Sequence, residues 1–312
     1  MTEEIEEQRT DLHPASQFMI LVLLIGCGFI ALCIVGGSLI IGFYGLDAIK
    51  SLGSLNDNIT PKALNAFRVL QSLSSVFLFL LPPVFFARII VHEPRNYLKF
   101  TIKFPSVLLL VVLIIVFISS PLMEWMVTLN QNMVFPDSLK WLFQKLKDSE
   151  DQATQAMKIL LNMKSPSDLI INLIMVGALP AICEEFLFRG AIQTIFTRWT
   201  KNPHWGIWIA AILFSAMHMQ FFGFLPRMML GVAFGYFVWW SGSIWTSVWA
   251  HFLNNGTAVV VTYLFQQKLI KLNPDDQHVF NYAGYAFSLI ITVLLFTLYR
   301  KLTLQQKTIP LE

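Results

Sequence analysis

Residues 181–190 read Ala181-Ile182-Cys183-Glu184-Glu185-Phe186-Leu187-Phe188-Arg189-Gly190, three ionisable side chains in a stretch that is otherwise apolar. No charge precedes them from Leu169 to Cys183, so the stretch reads as part of a membrane span. A charge at the centre of a spanning helix costs about 2.5–3.5 kcal/mol on insertion scales, so this cluster persists only if it faces protein or water and is internally neutralised. On a helix, Glu185 and Arg189 are four apart and share a face, whereas Glu184 is turned about 100° from its neighbour. The spacing pairs one carboxylate and leaves Glu184 for chemistry.

Working outward, the 312 residues are 55% hydrophobic and only 13% charged, with mean hydropathy +0.61, the composition of a polytopic membrane protein and not of a soluble domain. The net charge of +3 is spread over loop edges with no basic run, which argues against nucleic-acid binding and for the lipid bilayer as the main contact. Cys27, Cys33 and Cys183 lie in apolar stretches without metal-ligand spacing and read as packing residues. Met1 to Gln17 is acidic, with Arg9 as its one Lys or Arg, and reads as a solvated tail, not as a secretory signal.

The expected fold is an all-α transmembrane bundle of about eight spans: Phe18–Tyr44, Leu64–Val91, Phe104–Met126, Leu169–Trp199, Trp205–Phe222, Leu225–Trp240, Ile244–Phe265 and Val279–Tyr299. Pro82-Pro83 predicts a kink in the second span, and Pro180 a loosened turn just before the acidic pair. From about Asn130 to Asp168, charges alternate with Leu139, Trp141, Leu142, Phe143, Leu146, Ile159 and Leu160. This is amphipathic helix, read as a solvated hairpin on the bundle, with a lid on the bilayer as the alternative. The domain boundaries that follow are 1–17 (tail), 18–128 (three spans), 129–168 (amphipathic connection), 169–265 (core) and 266–312 (last span and tail). Eight spans put both ends on one side, and the Lys/Arg count favours the cytoplasmic side when the amphipathic segment is left out. The expected location is the cell membrane, crossed many times.

Few polar side chains fall within these spans: Glu184, Glu185, Arg189, His218, His251, Asn254 and Asn255, with Arg227 near a turn. His251 and Asn255 share a helix face, and Phe214 lies one turn before His218. A glutamate assisted by an imidazole can take a proton from water, while a second imidazole and an amide can hold the oxygen of a tetrahedral intermediate. The same groups suit a proton or ion path, or zinc held by Glu184, His218 and His251. The His-Glu-x-x-His spacing of zinc proteases is absent, Trp239-Trp-Ser-Gly242 lacks the first glycine of a rhomboid-type site, and no span carries an aspartate pair. No inverted repeat of the transporter kind stands out.

Three motifs in order resemble a known family. Glu184-Glu185-Phe186-Leu187-Phe188-Arg189 fits Glu-Glu-x-x-x-Arg, Phe214-Ser215-Ala216-Met217-His218 fits Phe-x-x-x-His, and His251-Phe252-Leu253-Asn254-Asn255 fits His-x-x-x-Asn. Each is weak alone; together on successive spans they are similar to the CAAX protease and bacteriocin-processing (CPBP, or Abi) intramembrane peptidases, which include the type II CAAX prenyl endopeptidases. The resemblance implies a cavity open to the membrane and a glutamate-dependent endopeptidase without a cofactor, zinc being the alternative. It further implies that Glu184 and His218 activate water, that His251 and Asn255 form the oxyanion hole, and that Glu185 and Arg189 support the site. Asn254 is then a neighbour. The implied partners are peptide or protein substrates, with lipidated CAAX peptides and bacteriocin-like peptides among the family's options. A non-catalytic immunity or transport protein is the reading of a different class. The likeness runs from about Leu169 to Phe265, and the first three spans match nothing recognisable.

Overall fold

The computed structural model describes residues 12–52, 59–133, 135–273 and 280–308; the acidic residues 3–11 of the tail and the polar link at 56–58 lie outside them. Every regular element among the described residues is helical. Among the described residues nine rods carry the architecture: α1 (Pro14–Tyr44), α2 (Pro61–Val91), α3 (Val107–Ile118 with Ser120–Gln131), α4 (Lys140–Leu160), α5 (Pro166–Thr200), α6 (Pro203–Met217), α7 (Phe224–Ser241), α8 (Ile244–Gln266) and α9 (Tyr282–Thr308). Eight of them correspond to the eight expected spans, and α4 to the amphipathic segment.

Among the described residues five helices are long and apolar enough to cross a membrane, and a sixth, α3, qualifies if its two halves are one span bent by 44°. The bend falls at Ser119-Ser120, where each hydroxyl bonds to a carbonyl three residues back and Pro121 follows in the first turn of the next helix. Helix α6 has 15 residues, a length of about 22 Å against a hydrocarbon core of about 30 Å. Helix α8 has 23 residues but gives up hydropathy to Ser247, His251, Asn254 and Asn255. The helix that ends at His218 and the one that carries His251 and Asn255 thus fall short, while α5 spans despite Glu184, Glu185 and Arg189. This multi-pass integral membrane protein shields these polar groups behind its more apolar helices.

The loosened turn expected before Pro180 is present, and the kink expected at Pro82-Pro83 is taken up within a helix that continues from Pro61 to Val91. The Ser75–Leu80 stretch ahead of Pro82-Pro83, and Leu173–Ala178 ahead of Pro180, run as wide π-helical turns, so the hydrogen bonds that proline would remove are re-routed and the rods continue. The amphipathic segment is a single helix, α4, and not a hairpin.

Two apolar cores flank the centre. One joins Leu21, Phe86, Tyr97, Phe188, Ile195 and Phe214 from α1, α2, the link after it, α5 and α6. The other joins Val112, Phe234, Phe237, Ala250 and Tyr299 from α3, α7, α8 and α9. Of the most apolar window of α1 only 11% is buried, against 44% for α5, so α1 is peripheral and α5 central. Phe29, Ile30 and Ile34 of α1 and Phe287 and Ile290 of α9 face outward, as lipid-facing side chains do.

Helix α7 approaches α5 and α6 through Gly231 and Gly235, one turn apart. A Cβ at Gly231 would lie 3.0 Å from the Ala211 side chain and 3.2 Å from the Arg189 guanidinium, and one at Gly235 would lie 2.8 Å from both Gln193 and Ile207. Small residues at such crossings let backbones come close enough for dispersion contact and carbonyl bonding. We expect Gly231→Val to lower stability by about 1–3 kcal/mol through overpacking. Gly37→Val, where a Cβ meets nothing within 4 Å, should be tolerated; thermal unfolding of the purified proteins in detergent compares the two.

Candidate functional site

Helix α5 starts at a capping box, with Ser165 and Asp168 bonding each other's backbone N–H, and Asp168 also meets Arg68 of α2 at 3.4 Å. The acidic pair lies farther along, in the short α-helical piece Leu179–Glu185 between two π-helical stretches. Glu185 and Arg189 are fully buried, and Arg189 Nη1 donates to Glu185 Oε1 at 2.7 Å, the i,i+4 pair that the spacing requires. The same oxygen meets His251 Nδ1 at 2.9 Å, and Ser247 Oγ donates to Oε2. Arg189 also donates to the Gly231 carbonyl at 3.1 Å, and its guanidinium carbon sits 4.5 Å and 5.4 Å from the ring centres of Phe214 and Phe234. A carboxylate with three partners and a guanidinium held by carbonyl and aromatic faces can both stay charged out of water.

Glu184 is treated differently. Its Oε2 is buried with no hydrogen-bond partner, and the nearest basic nitrogen among the described residues is His251 Nε2 at 3.9 Å. His251 therefore spans both carboxylates. Because Glu185 already accepts from Arg189 and Ser247, Nδ1 of His251 carries the proton towards it, and Nε2 faces Glu184. The ring is stacked on Phe234 at 5.4 Å and meets the edge of Phe214 at 5.8 Å, which fixes its plane.

His218 caps the C-terminus of α6. Its Nδ1 donates to the Phe214 carbonyl at 2.9 Å, so Nε2 is the nitrogen left with a lone pair. Phe214 packs edge-on to His218 at 5.1 Å as the spacing predicts, and also contacts His251 and Arg189. Asn255 donates Nδ2 to the Val176 carbonyl at 3.2 Å, in the π-helical stretch of α5, and accepts from Asn254 Nδ2 at 3.0 Å. Asn254 is thus a bonded partner of Asn255, and both reach the same cavity.

That cavity, of about 280 Å³, brings together Glu184, His218, His251, Asn254, Asn255 and Arg227, with Phe214, Phe234 and Leu230 as apolar walls. Glu185 and Arg189 stand behind it. Among the described residues no three His, Cys, Asp or Glu side chains form a group able to hold a metal ion.

Sequence reasoning missed four contributors. Ser247 lies one turn before His251, a spacing that gives it away in hindsight. Gln220 accepts from Arg227 Nη2 at 2.9 Å, and Glu150 of α4 accepts from the Phe222 N–H at 3.2 Å. Asn130, at the end of α3, donates to the Phe221 carbonyl and accepts from the Leu225 N–H, at 2.9 and 2.6 Å. Between them these three hold the turn from His218 to Arg227.

Comparison with known proteins agrees with the motif resemblance over this region. Residues 166–257, from the start of α5 to past Asn255, match the family described as "Type II CAAX prenyl endopeptidase Rce1-like". A curated relative, "Uncharacterized protein YpbD" of Bacillus subtilis (strain 168), is 28% identical over 114 residues, 35% of this chain and 54% of the relative, so the match spans about half of that protein's length. No solved structure matches.

Removing one partner of a buried ion pair leaves the other charge uncompensated. Glu185→Ala should therefore destabilise the fold by about 3–5 kcal/mol, whereas Glu184→Ala, which breaks no hydrogen bond at Oε2, should leave it intact. Thermal melts of both variants and size-exclusion profiles in detergent read this difference.

Proposed function

We propose that this protein is an intramembrane glutamic endopeptidase of the cell membrane, hydrolysing peptide bonds of peptides or proteins at or within the bilayer. The observation that carries the reading is Glu184 Oε2, a buried carboxylate oxygen without a partner on the wall of a cavity shared with His218, His251 and Asn255. A buried polar atom left unsatisfied at an energetic cost calls for a ligand, and water is the ligand that a carboxylate and a neutral imidazole together activate.

In this mechanism a water between Glu184 and His218 gives up a proton as its oxygen attacks the scissile carbonyl carbon. The carbonyl oxygen becomes an oxyanion, facing Asn255 and His251. Asn255 has one Nδ2–H committed to Val176 and a second to offer. His251, with Nδ1–H held on Glu185, donates from Nε2 in its protonated form, and the ionised Glu184 is the group that takes the proton from water. Collapse of the intermediate breaks the C–N bond, and the proton taken from water leaves with the amine. Glu185 and Arg189 touch no reacting atom in this scheme and act by positioning His251. The reaction uses no metal. CAAX-type peptides are the substrate class that the family match brings forward, and bacteriocin-like peptides the one that the motif resemblance adds.

A peptide-cleavage screen of the purified protein tests the scheme. Glu184→Ala should abolish cleavage that the wild type performs, and a chelator should leave the wild type unchanged; loss on chelation restored by zinc would make the enzyme a metalloprotease, and proton flux in liposomes without cleavage would make it a transporter. Asn255→Ala should lower kcat on the order of 10²–10³, the effect of losing one oxyanion donor. A larger loss from Asn254→Ala would assign the oxyanion to the other amide.

A further inference from the structure

A second cavity, of about 710 Å³, lies beneath α4, lined by Thr154, Met157 and Asn162 on one side, by Thr262 and Phe265 of α8 on the other, and by Gln220. Helix α4 is fastened on both sides of it. At its middle, Glu150 accepts from the Phe222 N–H and Ser149 Oγ donates to the Met219 carbonyl at 2.9 Å. Just past its C-terminus, Gln266 of α8 accepts from the Met163 N–H and donates to the Leu161 carbonyl, both at 2.9 Å, and Gln267 donates to the Met163 carbonyl at 3.2 Å. Between these fastenings α4 lines the space with Thr154 and Met157. The cavity is therefore built into the attachment of α4 to the core.

It adjoins the catalytic cavity across one residue pair, since Gln220 lines the larger space and accepts from Arg227 of the smaller through its side chain and its carbonyl. The smaller space sets a requirement. At about 280 Å³ it falls just under the usual range of ligand sites, about 300–1,000 Å³, and seats the reacting amide with little more. The substrate of an endopeptidase continues on both sides of that amide, each residue adding about 3.3–3.6 Å. The adjoining walls offer hydroxyl and amide groups from Thr154, Asn162, Gln220 and Thr262, the donors and acceptors that an extended backbone uses, with apolar surface from Met157 and Phe265 for its side chains.

We infer that the space between α4 and α8 is the binding groove for the polypeptide segment that runs on from the scissile bond, entered past Gln220, and that its ligand is an extended peptide. This rests on the proteolytic reading above.

The test uses two quenched-fluorescent peptides that share one scissile bond, of about four and about twelve residues, chosen because the wild type cleaves them and Glu184→Ala does not. Thr262→Trp fills the groove and touches none of the residues assigned to catalysis. Its KM for the long peptide should rise about tenfold or more with kcat retained, the signature of lost uniform binding, while the short peptide is cleaved as by the wild type. Unchanged KM for the long peptide, or an equal loss on both, overturns the groove. Thr154→Trp makes the same test from the roof should Thr262→Trp fail to fold. If no peptide is cleaved in a Glu184-dependent manner, the proteolytic reading falls and the groove with it; if cleavage depends on Glu184 and ignores Thr262→Trp, the groove falls alone.

Discussion

A carboxylate surrounded by hydrocarbon has to be satisfied by protein, and Glu185 is satisfied by Arg189, Ser247 and His251 together. These bonds join α5 to α8, and the guanidinium carries the connection on to the Gly231 carbonyl of α7 and the Phe214 ring of α6. In a medium of low dielectric each bond is stronger than in water, and each missing one more costly. The four central helices are therefore held by the same contacts that orient His251. Fold and site share one network, and Glu184 stands at its edge, next to it in sequence and outside its hydrogen bonds.

The wide turns serve the same end. A π-helical stretch leaves backbone carbonyls poorly paired, and the one around Val176 is used, since its oxygen fixes the amide of Asn255. The turn from His218 to Arg227 is likewise a construction of distant parts, tied down by Asn130 from α3 and Glu150 from α4. A helix that is polar on most of its surface thereby bears on the geometry of a buried cavity, through one carboxylate and the backbone of one loop.

Much of this was legible because helical spacing is a strong rule. It predicts the Glu185–Arg189 pair, a Glu184 turned away from that pair, the shared face of His251 and Asn255, and Phe214 over His218, and these contacts are present in the fold. What escaped it were contacts between remote segments and features without a compositional mark. Glu150 looks like any charge on a solvated helix until Phe222 is seen beside it. Arg68 finds Asp168 a hundred residues away. Helical spacing turns Asn254 away from Asn255, yet the cavity is broad enough to admit both. The bend at Ser119-Ser120 and the π-helical turns follow from hydrogen-bond routing, which hydropathy does not record.

The local character of the Glu185–Arg189 pair has a bearing on how the chain enters the membrane. Ser247 and His251 lie 62 and 66 residues beyond Glu185, and at about 5–20 residues per second their synthesis follows by several seconds. During that interval α5 has to partition into lipid without α7 and α8, which complete its polar network. A carboxylate and a guanidinium one turn apart on the same helix already neutralise each other, so α5 can wait in the bilayer as an electrically balanced segment and exchange solitary pairing for the full network once α7 and α8 arrive.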